Sequence, residues 1–270
     1  MADTPCLNVA ALCLLSVGCW GQAIGASWDA GHAIDLGAAD GQGKPESKLA
    51  YVRQCPAGMA HVSGGPARGS ESGTTVGSFC ADILETTVAE YRECVKARRC
   101  TLPAKGDPVH WPCNYWQKGR DRDAIDCVTF WQARNYCEFR FKRLPTPNEW
   151  KRAAGFGDDR AFPWGNEVLG AKDVCWMRTA KQGTCKVGTH LKDASPFGIL
   201  DMAGNVPEWT ADRMQECIDG RYYFGSCYQE SRGDRWSHRP DKFFPTNFDF
   251  GRVDTINDPW MAGIRCVQPD

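Results

Sequence analysis

The sequence predicts a mixed fold in which short strands and a few helices are joined by long irregular loops. Three observations predict it: 28 glycines and 11 tryptophans among 270 residues, helix starts written in paired capping residues, and 15 cysteines. Glycine supplies the backbone conformations of tight turns, and tryptophan pins loops that lack a regular hydrogen-bond ladder. With 42% hydrophobic residues the chain can bury a core, and its length suits one large domain or two small ones. Lysine and arginine (32) nearly balance aspartate and glutamate (33). Without a strong field of one sign, neither nucleic acid nor an anionic membrane surface is an expected partner.

At the N-terminus, CLNVAALCLLSVGCW is too short to span a bilayer comfortably and has the length of a signal-peptide core. Residues 1–19 are therefore expected to be a signal peptide or a lipoprotein signal. LLSVGC resembles a lipoprotein cleavage box, which would make Cys19 a lipid-bearing first residue and attach the chain to a membrane. The alternative is an ordinary signal peptide cut near AIGA, because the first residues lack Lys and Arg and carry Asp3. Residues 20–50, rich in Gly, Ala and Asp, read as a flexible tether. Residues 51–270 are left as the folded domain.

Cysteines in such number imply disulfides and an oxidising compartment, so the chain is expected to be exported: periplasmic, an outer-surface lipoprotein or secreted. Beyond Cys6, Cys13 and Cys19 there are twelve, an even number, and no pair has the C-x-x-C spacing of a zinc knuckle or redox site. The simplest pairing joins sequence neighbours: Cys55 with Cys80, Cys94 with Cys100, Cys113 with Cys127, Cys175 with Cys185, and Cys217 with Cys227. Connectivity does not follow from spacing alone.

Residues 55–95 read as short strands around a Gly/Ser loop, followed by a helix. Three helices begin with a threonine whose side chain caps the first turn and a Glu or Gln three residues on that caps in return: Thr87 with Glu90, Thr129 with Gln132, Thr146 with Glu149. Pro147 takes the first helical position of the third, where its missing N–H is harmless. Phe130, Ala133, Cys137 and Phe141 form one stripe of the second helix, which turns Cys137 inward. The C-terminal AGIRCV alternates, with Ala262, Ile264 and Cys266 on one face of a strand and Gly263 and Arg265 on the other.

CVTFWQARNYCEFRFKRLPTPNEWKRAA, FPWGNE, SPFGILDMAGNVPEWTAD and GIRC follow one another in an order and at intervals that resemble the formylglycine-generating enzyme, or sulfatase-modifying factor, family. The resemblance covers roughly residues 55 to 267. It implies an α+β domain of the C-type lectin-like fold, disulfide-rich and with little regular structure. It also implies a bridge from the second helix to the last strand, here Cys137 to Cys266.

The same resemblance implies one structural calcium ion, held by the carboxylates of Asp201 and Glu208 and the carbonyls of Gly204 and Val206. Calcium favours about six to eight oxygen ligands, and glycine lets carbonyls converge. The competing reading is that both carboxylates hold a turn through hydrogen bonds. The family's second calcium loop has no counterpart residue by residue.

The family's oxidase members use two copper-binding cysteines just after a GGSW-like strand. That strand matches RGDRW here, and His238 and Phe243 stand where the cysteines would be. Pro207 replaces a tryptophan of the calcium loop, and Met261 an asparagine before the final GIRC. Copper is not expected, since copper(I) wants thiolates, and no catalytic residue is assigned. Relatives that use non-haem iron take its ligands largely from a separate helical domain, for which this chain has no length. The tripeptide Arg232–Asp234 reads as a variant of the family's strand rather than an adhesion signal.

Two functional classes remain. The favoured one is an exported, non-catalytic recognition or scaffold module whose groove, lined by Trp209, Arg235, Trp236 and His238, takes a peptide, protein or glycan. The other is an oxidase-family enzyme, formylglycine-generating or of a non-haem-metal type, with an altered site.

Overall fold

The computed structural model describes residues 54–67, 74–107, 111–156, 160–211, 228–237, 252–254 and 262–270, all within the unit Arg53–Asp270. The expected signal segment with Cys19 and the expected tether lie outside the described residues, as do Cys217, Cys227, His238, Phe243 and Met261. In chain order the elements are β1 (Met59–Val62), β2 (Gly65–Pro66), β3 (Thr75–Val76), β4 (Phe79–Asp82), α1 (Val88–Lys96), β5 (Gly106–Asp107), β6 (Trp111–Pro112), α2 (Phe130–Phe139), α3 (Pro147–Ala153), β7 (Glu208–Trp209), β8 (Tyr228–Arg232), β9 (Arg252–Asp254) and β10 (Val267–Pro269). Helices and strands are mixed, and no described helix is long and apolar enough to cross a membrane.

All three helices start where the threonines place them. Thr87, Thr129 and Thr146 each accept from the backbone N–H three residues on, and Glu90, Gln132 and Glu149 return the bond to the cap. One residue of the expected stripe departs from it. Helix α2 ends at Phe139, and Phe141 has a φ of 58°, a left-handed turn that swings its ring off the helical face. Phe141 is 93% exposed, while Phe130, Ala133 and Cys137 are buried as the stripe requires.

The central sheet runs β1-β4-β10, so β4 pairs antiparallel with strands from opposite ends of the domain. Beyond β4, Thr86 N–H donates to the Ile264 carbonyl and Asp82 N–H to that of Cys266, which lays residues 82–86 along residues 264–266. Ala262, Ile264 and Cys266 are buried together, but the regular strand begins only at Val267, and Arg265 on the opposite side is also buried, at 1% exposure. Residues 262–267 therefore have no solvent face.

Two apolar clusters result. One gathers Phe79, Ala81, Trp150, Trp176, Ile199 and Met202; the other gathers Tyr91, Ile125, Phe130, Tyr136, Trp209 and Ile264. Disulfides join Cys55 to Cys80, Cys94 to Cys100, Cys113 to Cys127, Cys137 to Cys266 and Cys175 to Cys185. Cys113, Asp126 and Cys127 bring metal-ligating atom types together, but both sulfurs are consumed in the bridge.

Candidate functional site

The segment Asp201–Trp209 is a tightly folded loop ending in strand β7. Asp201 and Asn205 have φ of 62° and 64°, a region that Asp and Asn tolerate better than other side chains. The loop is clamped from both sides. A Cβ on Gly204 would lie 2.7 Å from the Cys175 carbonyl oxygen, and one on Gly263 would lie 2.5 Å from Val206 Cγ2. Neither position has room for a side chain. Strand β7 then pairs with β8 in the register Glu208 opposite Arg232.

Beneath the loop lies Arg265, with every guanidinium donor engaged. Nη1 donates to the carbonyls of Asp82 and Ile83, each at 2.9 Å, and Nη2 to the Leu200 carbonyl at 2.8 Å and to Glu208 Oε1 at 2.7 Å. Nε contacts Glu208 Oε1 at 2.9 Å and Oε2 at 3.1 Å. Trp150 Nε1 completes the carboxylate's set, donating to Oε2 at 2.6 Å. Burial works against the Arg265 charge, but Glu208, with Glu85 and Asp201, more than offsets it and holds the pKa above its ordinary value. A buried ion pair is tolerated when every polar atom is satisfied, and this one ties together β4, α3, β7 and the C-terminus.

Further carboxylates crowd the same region. Glu85 receives the side-chain amide of Asn205 and, at 3.3 Å, the Val206 N–H; burial, then Asp201 and Glu208, push its pKa well up. Asn205 is a node in its own right. Its Oδ1 accepts from Cys185 N–H at 2.8 Å, its N–H donates to the Cys175 carbonyl, and its carbonyl accepts from Trp236 N–H. Asp201 Oδ2 accepts from Gly188 N–H, whereas Oδ1 is buried without a hydrogen bond and has His190 Nδ1 at 3.8 Å. Asp193 Oδ1 accepts from Asp201 N–H. Burial and the neighbouring Asp201 push the Asp193 carboxyl up to about 8.

Of the two carboxylates expected to hold calcium, Asp201 fits this geometry, its buried Oδ1 having a lone pair to give. Glu208 does not fit: a carboxylate offers about four acceptor sites, and its two oxygens already take Arg265 and Trp150. The consequence is testable by thermal melting. Glu208→Gln is expected to lower the melting temperature by the same amount in millimolar calcium and in excess chelator. A loss confined to the calcium sample would show that Glu208 acts through an ion.

The expected groove residues do not assemble into an open surface. Trp209 is 1% exposed and its Nε1 donates to the Val128 carbonyl, so it serves packing. Trp236 is 4% exposed and packs on the Cys175–Cys185 bridge. Arg235 is partly exposed, and His238 lies outside the described residues. Arg232 and Asp234 are buried as well, so the tripeptide is not displayed for adhesion. Glu85, Asp193, Asn205 and Trp150 were not singled out by sequence. Their one signal was local: the GN dipeptide marks a turn that favours a left-handed residue.

Comparison with known proteins adds a second line of observation. Residues 43–269 match the model of the sulfatase-modifying factor enzyme 1-like domain. Inactive C-alpha-formylglycine-generating enzyme 2 of Bos taurus is 32% identical over 123 residues, 42% of this chain and 40% of that protein. Its Mus musculus counterpart is 26% identical over 221 residues, 65% and 70% of the two chains. Hercynine oxygenase of Mycobacterium tuberculosis is 29% identical over 165 residues, 53% of this chain and 36% of that protein. Among solved structures, PvdO of Pseudomonas aeruginosa superposes with a TM-score of 0.55 at 21% identity, covering 78% of this chain and 92% of that one. With residues 43–269, most of this chain, matched by the family model and the fold shared with PvdO, the chain belongs to the sulfatase-modifying factor enzyme 1-like domain family.

Proposed function

We propose that this chain is an exported, non-catalytic member of the family, acting as a recognition or scaffold module for a peptide, protein or glycan. The observation that carries this reading is the segment RWSHRPDKFF, residues 235–244, which contains no cysteine where a copper-binding pair is expected. A thiolate pair is what copper(I) requires. Cys175 and Cys185, which the fold brings beside Trp236, are consumed in a disulfide. The similarity to the bovine and mouse proteins, both named as inactive enzymes, supports the same conclusion. Export is supported by the five disulfides among the described residues, which persist in oxidising compartments. Short strands around a disulfide-bonded α+β core support the C-type lectin-like description.

The hercynine oxygenase match favours a second reading, an oxidase with altered chemistry. Incubation with a cysteine-containing sulfatase peptide under oxygen, with and without copper, separates the two. No aldehyde is expected by mass analysis or by an aldehyde-reactive probe. Copper-dependent aldehyde that survives His238→Ala would overturn the non-catalytic reading.

A further inference from the structure

A cleft of about 510 Å³ opens between the end of β4, the start of α1 and the C-terminal turn of α2, with Val187, Gly188 and Leu200 on its far wall. Its size lies within the range of small-ligand sites, roughly 300–1,000 Å³. One wall is aliphatic. Leu84 is 38% exposed, beside Leu200 and Val187, and it lies so close to Gly188 that a Cβ there would approach Leu84 Cδ2 to 2.8 Å.

The charged groups around the cleft are unequally committed. Glu90 Oε2 is taken by the backbone N–H and hydroxyl of Thr87, Asp82 is paired with Lys142, and Glu85 is buried against Asn205. Each acid is satisfied from within the protein. Of the three cations, Lys142 is satisfied by Asp82 and the two arginines are not. Arg122 is exposed and its side chain makes no hydrogen bond or ion pair among the described residues, and Arg140 has only Glu93 at 3.9 Å, with that partner's side chain 68% exposed. Such a distant, exposed pair contributes little. Tyr136, whose hydroxyl lies within the fields of Glu90 and Arg140, also lines the cleft and gives it a polar group.

We propose that this cleft binds an aliphatic carboxylate, the carboxylate engaging Arg122 and Arg140 and the alkyl group lying on Leu84 and Leu200. The two cations left without a close partner set the sign of the ligand, and the exposed leucine beside them sets its body. Arginine forks suit a carboxylate better than a point charge does. The chemistry is shared by a free acid and by the C-terminal end of a peptide, and the site is independent of whether the chain retains any oxidase activity.

The test is calorimetric titration of the disulfide-intact domain with N-acetyl-leucine, with a tetrapeptide ending in leucine, and with the C-terminal amide of each. Both acids are expected to bind, and both amides to bind at least about tenfold more weakly, the loss of one charge-assisted bond. Tighter binding of the tetrapeptide would assign the site to peptide ends, and equal binding to free acids. Arg122→Gln and Arg140→Gln should each weaken the acids about tenfold while leaving the amides and the melting temperature unchanged, because both side chains are exposed. Leu84→Ala should erase the preference for leucine over glycine at the terminal position. Equal binding of acid and amide, indifference to both arginine substitutions, or no binding up to millimolar acid would overturn the proposal.

Discussion

Replacing Arg265 with methionine is expected to destabilise the domain by about 3–5 kcal/mol, the usual cost of breaking a buried pair from one side. The residue is 1% exposed and Glu208 is fully buried, so the substitution strands a carboxylate in a medium that penalises it. It also removes the guanidinium donor from the carbonyls of Asp82, Ile83 and Leu200, of which Ile83 keeps the Leu200 N–H. Glu208→Gln is expected to cost less, since its carbonyl can still accept from Trp150. The two substitutions touch one network, so their effects should fall short of additive in a double-mutant cycle. Denaturant unfolding of the disulfide-intact protein measures all three variants. A loss below about 1 kcal/mol for Arg265→Met would mean that the pair contributes no more than a surface bridge.

Removing the Cys137–Cys266 bridge as a Cys-to-Ala double variant is expected to have an effect of similar size. The bridge closes a separation of 129 residues, against 6 for Cys94–Cys100. Loop-closure entropy then assigns about 5 kcal/mol to the first and about 2 kcal/mol to the second. Cys137 and Cys266 are both fully buried, so alanine also leaves a small void, which adds to the cost. The check is paired unfolding of the two double variants, each confirmed by mass to keep its remaining bridges. Equal losses, or a larger loss at Cys94–Cys100, would refute the ranking by loop length.

Some of the site was legible and some was not, and the division follows the range of the interaction. The loop around Asp201 was marked by its motif, but its partners were not. Glu85 stands 120 residues from Asn205, and Trp150 stands 58 from Glu208; no local pattern links such positions. The tryptophans show the same limit from the other side. Tryptophans grouped with an arginine read as the lining of a surface groove, yet Trp209 and Trp236 are buried, because the chain folds other segments over them.

The sequence by itself determined the helix starts, the disulfide-rich character of the domain, and the family, because each is carried by residues a few positions apart or by a composition that needs no coordinates. Capping boxes are the clearest case: a threonine and a Glu or Gln three residues on satisfy backbone donors that no distant partner reaches. Even so, α2 stopped short of Phe141, since a left-handed turn depends on what the following chain must meet. Only the tertiary structure decided the role of Arg265. The alternation of AGIRCV set that residue on the face opposite Cys266 and said nothing of what covers that face; the fold lays residues 82–86 along one side and Glu208 along the other, and the guanidinium is sealed between them. A charged group so placed is stable only when all of its donors are met at once, and that condition is a property of five carbonyl and carboxylate oxygens brought from three separate parts of the chain.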